Sequence, residues 1–475
     1  MTTDIDPTLN ALPTVDDSDY DEITGISDQL GPAVRELVLL PPFPPHRVPR
    51  GARPHQVPDD QFPRMSHREK QRRWDGLRKR MLMRGVDALI LLGNDIYWDM
   101  GNANLRYVTG IAAKMGSHAL FFHDADPVLY NAVPHMSRPF HEQSSVQDWV
   151  TDIRIGHGVA ELAAELRDRG LDRGRLGVVG FSSTIQTTPT FLDGELAGLK
   201  AALPQADLVD FSDALQHMRV VKSEEEIDMM RRGAQISRQV LDTLVSSARP
   251  GATEAEVYAD MVRTQIALGA EPNIFNLLAS GPVEHPSDEL WHLLHGSDQP
   301  VSPTQRPLEA GDLIVTEWHT KFGGYLVHTE YTVYLGDRVP QPLQDIWEVS
   351  LECLDATREA FRPGVTLREA WEATRRPSER AGYDFVELGF HAMGLASPEF
   401  PTVIYRPGYG SPALNGSRIG DLVLEEGMTF GNNIDLHNPA WKPDVGCMLS
   451  DFMVVREGGA EMLVGTPREI GLGGS

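Results

Sequence analysis

The sequence predicts an α+β protein of two folded domains behind an extension, and three observations predict it. Helical and strand-like stretches alternate from residue 66 to about 215. A capping box just after residue 216 then opens a long amphipathic helix. Within the second part, RPGATEAE at 249–256 recurs as RPGVTLRE at 362–369. Both copies join a Pro-Gly turn to a Thr-x-x-Glu helix start, as expected of two similar halves. The 475 residues suffice for two or three domains at roughly 150 residues each.

Residues 1–65 read as an extension. The first thirty hold eight acids and no Lys or Arg, and a proline-rich stretch follows that blocks helix and sheet ladders. This suits a disordered tail. Leu39, Leu40, Phe43 and Phe62 equally suit an arm packed on the body or a partner subunit. Residues 66–215 form the first domain. Ser66-x-x-Glu69 is a capping box, Trp74, Leu77 and Met81 recur at helical spacing, and Gly85 ends the helix. VDALILL follows as a buried strand, and HALFF, PVLYNAV and RLGVVGF continue the α/β pattern. Residues 216–475 form the second domain. Ser223-x-x-Glu226 opens a helix with Ile227, Met230, Ala234, Leu241 and Leu244 on one face.

Charge narrows the function. The chain carries 43 basic and 68 acidic side chains, a net charge of −25. Such a surface repels phosphate backbones and anionic lipid, so neither nucleic acid nor membrane is an expected partner. Cys353 and Cys447 are too few for a disulfide framework, which fits the cytoplasm. The longest apolar run, Ala88 to Leu92, is too short to span a bilayer, and the start has no signal-peptide pattern. There is no Walker loop, dinucleotide fingerprint or zinc-finger spacing.

The stretch GDLIVTEWHTKFGGYLVHTEYTVYLG from Gly311 reads as strand, tight Gly-Gly region, strand. Alternation puts Glu317 and His319 on one face of the first strand, and His328 and Glu330 on one face of the second. Ionisable residues amid β-branched and aromatic neighbours mark either a solvent-facing edge or a cleft lined for chemistry.

These segments, together with RWDGLRKRMLMRGVDALILL, MRVVKSEEEIDMMRRGAQIS, GFHAMG, LEEGMTF and SDFMVVREGG, resemble the creatinase/aminopeptidase P/prolidase-like (M24 peptidase) superfamily. The resemblance covers about residues 66–470. It implies a pita-bread catalytic domain preceded by a creatinase-type α/β domain, and a homodimer. Metal-dependent members hold two ions with Asp, Asp, His, Glu and Glu. Those positions fall here on Glu317, His328, His391, Asn433 and Ser450. Asn433 and Ser450 cannot supply the negative charge that two divalent ions need.

The resemblance to creatinase, which lacks metal, therefore implies acid/base chemistry on the C–N bond of a small amine- or amide-bearing metabolite, by hydrolysis or elimination. On this expectation the enzyme is not a standard Xaa-Pro peptidase and needs no cofactor. Glu330, His391, His328, Glu317 and one of His292 and His295 would be catalytic, with His285 a further histidine of that segment. Asn433, Asp435, Ser450 and Tyr325 would bind substrate. One alternative is a mononuclear iron or zinc site of Glu317, His328 and His391, with Asp435 or His319 as an added ligand. Another is a non-catalytic binding protein. The loop carrying Glu399 is read as shaping the pocket mouth, Arg406 and Tyr409 as a surface loop or contacts to a substrate carboxylate, His437 and Trp441 as lining the cleft or packing, and Cys447 as a buried thiol.

Overall fold

The computed structural model describes residues 63–94, 100–111, 117–131, 149–155, 158–181, 193–272, 276–284, 303–405, 418–442 and 445–474. Expectations for residues 1–62 and for His285, His292, His295, Arg406 and Tyr409 lie outside the described residues.

Helix α1 (His67–Arg84) starts where Ser66 accepts the Glu69 N–H and ends at Gly85, whose φ of 61° is left-handed. The expected box is only half made. The Glu69 carboxylate binds Arg72 and Arg73, while the Ser66 N–H donates to Glu225. Two guanidiniums one turn ahead outbid a neutral backbone N–H for the same carboxylate.

Six strands follow: β1 (Ala88–Gly93), β2 (Ser117–Phe122), β3 (Val128–Asn131), β4 (Asp152–Ile155), β5 (Arg175–Val179) and β6 (Asp207–Asp210). They form one sheet in the order β4-β3-β2-β1-β5-β6. Among the described residues of this part are also helices α2 (Met100–Thr109), α3 (Val159–Asp168), α4 (Asp193–Ala202) and α5 (Ser212–Val220). Every residue of β1 is buried, which explains its unbroken apolar run between the two faces.

The second part opens with α6 (Glu224–Ser247), whose capping box is complete. Helix α7 (Glu254–Ala267) precedes β7 (Asn276–Pro282), β8 (Asp312–Phe322) and β9 (Tyr325–Leu335). Helices α8 (Gln341–Ala360) and α9 (Leu367–Ala381) precede β10 (Asp384–Ala392), β11 (Glu399–Tyr405) and β12 (Thr429–His437). The last strands are β13 (Gly446–Leu449), β14 (Met453–Val454), β15 (Glu461–Met462) and β16 (Gly471–Gly473). Two sheets result, β16-β9-β8-β7 and β11-β10-β12-β14-β15 with β13 on β12. This is the pita-bread arrangement, and the chain as a whole is α+β.

The repeated motif is structural. Thr253–Glu256 and Thr366–Glu369 both form complete capping boxes. The Gly251 N–H donates to Leu308 O and the Gly364 N–H to Leu424 O, so each copy docks its turn on a matching strand-like partner. Each turn glycine has a positive φ, 89° and 85°.

Charged side chains seal the junction between the first sheet's domain and the strands of the second. Arg106 on α2 makes a bidentate pair with Glu271 at 2.9 Å, and the Gly324 N–H donates to the same carboxylate. Burial would raise the Glu271 pKa, but the charge and hydrogen bonds of Arg106 override it and hold it at about 2. A depressed folded-state pKa gives stability that is full above the unfolded value and is lost as pH falls toward 2. Glu271→Gln should therefore melt below wild type at neutral pH, with the gap closing between about pH 4.5 and 2. A gap that does not change across that range in thermal denaturation would refute the assignment.

Candidate metal centre

The site is built on the β8–β9 hairpin. Gly323 and Gly324 form its two-residue turn, with φ of 58° and 87°, the left-handed pair that a tight hairpin needs. That turn pairs Phe322 with Tyr325, and the register carried back sets Glu317 opposite Glu330 and His319 opposite His328. Two carboxylates and two imidazoles thus share one face of one hairpin.

All four are buried. His328 Nε2 lies 3.3 Å from Glu317 Oε1 and 3.7 Å from Glu330 Oε1. The His319 and His328 ring centroids are 5.1 Å apart. His391 comes from β10 in the other sheet, with its ring centroid 4.7 Å from that of His328. Asn433 on β12 donates to Glu330 at 2.7 Å. Ser450, just past β13, places Oγ 3.3 Å from His328 Nδ1. Ser397, in the loop after β10, places Oγ 3.1 Å from His319 Nε2. Gly431, paired with His391 across β10 and β12, leaves the space that the rings of His391 and His328 occupy.

Burial dominates the electrostatics. It lowers the His328 pKa to about 3 and carries His391 well below the ordinary histidine value, with His328 adding to the latter. Burial raises Glu330 far above the usual carboxylate range, reinforced by Asp435, Glu317 and Glu387 and opposed by the Asn433 hydrogen bond. The His328 and His391 imidazoles are therefore neutral, the form that binds a metal.

One ligand atom each from Glu317, His319 and His328 lies within 4.8 Å of the others. His328 Nε2, Glu330 Oε2 and His391 Nδ1 are buried and make no hydrogen bond. Buried polar atoms without hydrogen-bond partners around a Glu/His/His set are what a bound transition-metal ion would satisfy, so these residues fit one. The alternative site read from sequence was Glu317, His328 and His391, with Asp435 or His319 as an added ligand. The geometry instead groups His319 with Glu317 and His328 and keeps His391 beside them.

Other expected residues are placed as follows. Asp435 lies on β12 opposite Glu387, close enough to act on Glu330. Tyr325 is elsewhere: alternation puts it on the β9 face opposite His328 and Glu330, and its hydroxyl binds Arg73 and Glu226 at the domain junction. A substrate role for Tyr325 is corrected accordingly. Glu399 is not at the pocket mouth but buried, clamped by Arg219 and Lys222. Cys447 is a buried thiol near the Leu343 carbonyl. Trp441 and His437 are partly buried on the strand end and the turn after it.

Ser397 and Gly431 were not singled out by sequence reasoning. No local pattern marks Ser397, because a loop fold carries it to His319. The Gly-Gly turn was the available signal for the cross-strand pairs: a two-residue hairpin loop fixes every opposite pair back along both strands.

The sequence model of the Metallopeptidase family M24 matches residues 228–457, and that of the Creatinase/Prolidase N-terminal domain matches residues 73–221. The "Probable dipeptidase PepE" of Mycobacterium tuberculosis is 30% identical over 281 residues, 56% of this chain and 66% of that protein. The chain thus spans just under two thirds of that relative's length. The Xaa-Pro dipeptidase of Pyrococcus furiosus is 25% identical over 315 residues, 63% of this chain and 82% of its own. Among solved structures, the prolidase of Pyrococcus horikoshii superimposes with a TM-score of 0.64 at 20% identity, covering 84% of this chain and 99% of that one. The dipeptidase PepE of Mycobacterium ulcerans gives 0.64 at 23% identity, covering 87% and 100%. At these identities the structures speak for the fold.

These relatives correct four expectations. A metal-independent enzyme was expected, acting on a small amine- or amide-bearing metabolite and set apart from Xaa-Pro peptidases. The match to a metallopeptidase family, and relatives named dipeptidases and Xaa-Pro dipeptidases, overturn it. The absence of a cofactor is overturned on the same ground. The charge missing at Asn433 and Ser450 is set against donors at His328 and His319, which the mononuclear alternative already names.

Proposed function

This chain belongs to the creatinase/prolidase superfamily of M24 metallopeptidases, and on that premise we propose that it is a metal-dependent peptidase hydrolysing short peptides of the Xaa-Pro type. The observation that carries the proposal is the buried Glu317, His319 and His328 cluster, whose ligand atoms lie within 4.8 Å of one another.

A zinc or iron ion held by these three would supply Lewis acidity and an activated water. The chain's own groups do the rest. Glu330, across His328 from Glu317, is placed to pass a proton to the leaving amine, with Asn433 fixing its carboxyl through a 2.7 Å hydrogen bond. His391 closes the other side of His328 and positions the peptide carbonyl. Ser450 lies against His328, and Asp435 acts on Glu330, in the same cluster.

The test is hydrolysis of Xaa-Pro dipeptides before and after chelation. Turnover should fall at least 100-fold on metal removal and return with zinc or iron, and His328→Ala should lower kcat/KM at least 100-fold. Full activity in the chelated enzyme would overturn the proposal.

The same reading includes a division of the chain at 66–215 and 216–475, supported by family matches that meet between residues 221 and 228. It also includes a homodimer in the cytoplasm that binds neither nucleic acid nor membrane. Two free cysteines and a net charge of −25 support this, and among the described residues no helix is long and apolar enough to cross a membrane. Light scattering of the purified chain and cell fractionation test these parts; a monomer or a membrane-bound fraction would refute them.

A further inference from the structure

We propose that Ser397 and Ser450 are positioning residues that fix the ring tautomers of His319 and His328, aiming one lone pair of each ring into the cluster and suiting it to a nitrogen-preferring divalent ion. The proposal rests on reading Glu317, His319 and His328 as ion ligands.

A neutral imidazole carries one N–H, and the nitrogen that donates leaves the other as an acceptor. Ser450 Oγ stands 3.3 Å from His328 Nδ1. Donation from Nδ1 to that hydroxyl leaves the Nε2 lone pair on the side where Glu317 Oε1 lies 3.3 Å away. Ser397 Oγ stands 3.1 Å from His319 Nε2, so the opposite nitrogen is engaged on the second ring. Donation there leaves Nδ1 as the acceptor. The two rings meet the cluster through different nitrogens, and each has a serine behind it.

The backbone at both serines is held in place. The Ser450 N–H donates to Glu330 O at 3.3 Å, and its carbonyl accepts from Thr466 Oγ1 at 2.7 Å. Thr466 is tied in turn to Asp451, through its N–H at 3.0 Å, and to Thr329. On the other side, the Ala396 N–H donates to Glu399 Oε1 at 3.1 Å, next to Ser397 in the chain. Arg219 and Lys222 clamp Glu399. Both serines are buried, so water does not compete for the ring nitrogens.

Ser450 occupies the position where the resemblance would put a carboxylate ligand. The chain therefore has a support for its neighbouring histidine where a charged donor would stand. A set rich in imidazole and poor in carboxylate favours zinc, cobalt or iron over manganese and magnesium.

The experiment uses the full chain, stripped of metal and titrated with zinc and manganese against a chromophoric chelator. Histidine ¹⁵N resonances of the metal-free protein are recorded in parallel. Wild type should bind zinc at least 100-fold more tightly than manganese. Ser450→Ala and Ser397→Ala should each weaken zinc binding about 10–100-fold, and Ser450→Thr, which keeps the hydroxyl, should restore most of it. The ¹⁵N spectra should show His328 protonated at Nδ1 in wild type and mixed tautomers in Ser450→Ala. Equal zinc binding and unchanged tautomers in both alanine variants, with a wild type that binds zinc, would overturn this proposal alone. Manganese bound as tightly as zinc would overturn the selectivity it assigns. A wild type that binds no divalent ion would overturn the metal reading beneath it, and the metal-free spectra tell the two failures apart.

Discussion

Gly431→Ala is expected to abolish metal binding and lower kcat/KM for dipeptide hydrolysis by at least 100-fold, with the protein still folded. A methyl at this position would stand 2.5 Å from His391 Cε1 and 3.0 Å from both Cβ and Nδ1 of His328. Ordinary carbon contacts sit near 3.5–4.0 Å. Neither ring can step back without a shift of its strand. His391 belongs to β10, which pairs with β11 on one side and with β12, the strand of Gly431, on the other. His328 belongs to β9, hydrogen-bonded to β8 and to β16. Overpacking of this kind costs about 1–3 kcal/mol, a tolerable loss for the fold. The same displacement moves a ligand nitrogen by a substantial fraction of an ångström, which a metal centre does not tolerate. Zinc titration, turnover and circular dichroism on one preparation would decide it. Unchanged zinc affinity and activity would show that the rings have room that the geometry denies them.

The second large effect is expected at Glu399. Its carboxylate is buried against Arg219 and Lys222, and Arg219 also binds Asn104 on α2. Burial alone would raise the Glu399 pKa; the two cations override it and hold the carboxyl below the usual range. Glu399→Gln leaves two buried cations without their counter-charge, which should cost about 3–5 kcal/mol of stability. Urea denaturation at neutral pH measures this. The deficit should be full above the unfolded carboxylate pKa and shrink as pH falls through the folded value, because wild type then loses the same charge. A deficit under about 1 kcal/mol would mean that water screens the cluster.

Much of the fold was legible because its signals are local. Capping boxes at Ser223, Thr253 and Thr366 require only a side chain and the backbone three residues on, so they read directly from sequence. The box at Ser66 failed because a distant acid, Glu225, and two nearby arginines offered better partners. The period of two along β8 and β9 set Glu317 with His319 and His328 with Glu330 on their faces. Their cross-strand pairing came with the hairpin register of the structure.

The sequence by itself determined the fold class, the helix starts and the hairpin that carries the ionisable residues. It also determined that four of the five expected metal-ligand positions hold other residues than usual. Only the tertiary structure decided what those changes amount to. His319 joins Glu317 and His328 through sheet register, Ser450 reaches His328 across two sheets, and Ser397 reaches His319 through a loop pinned by Glu399. The physical reason is distance along the chain. Propensity and periodicity act over a few residues, whereas His391, Ser397 and Ser450 meet the hairpin's histidines from about 60 to 120 residues away, and packing alone brings those atoms within reach.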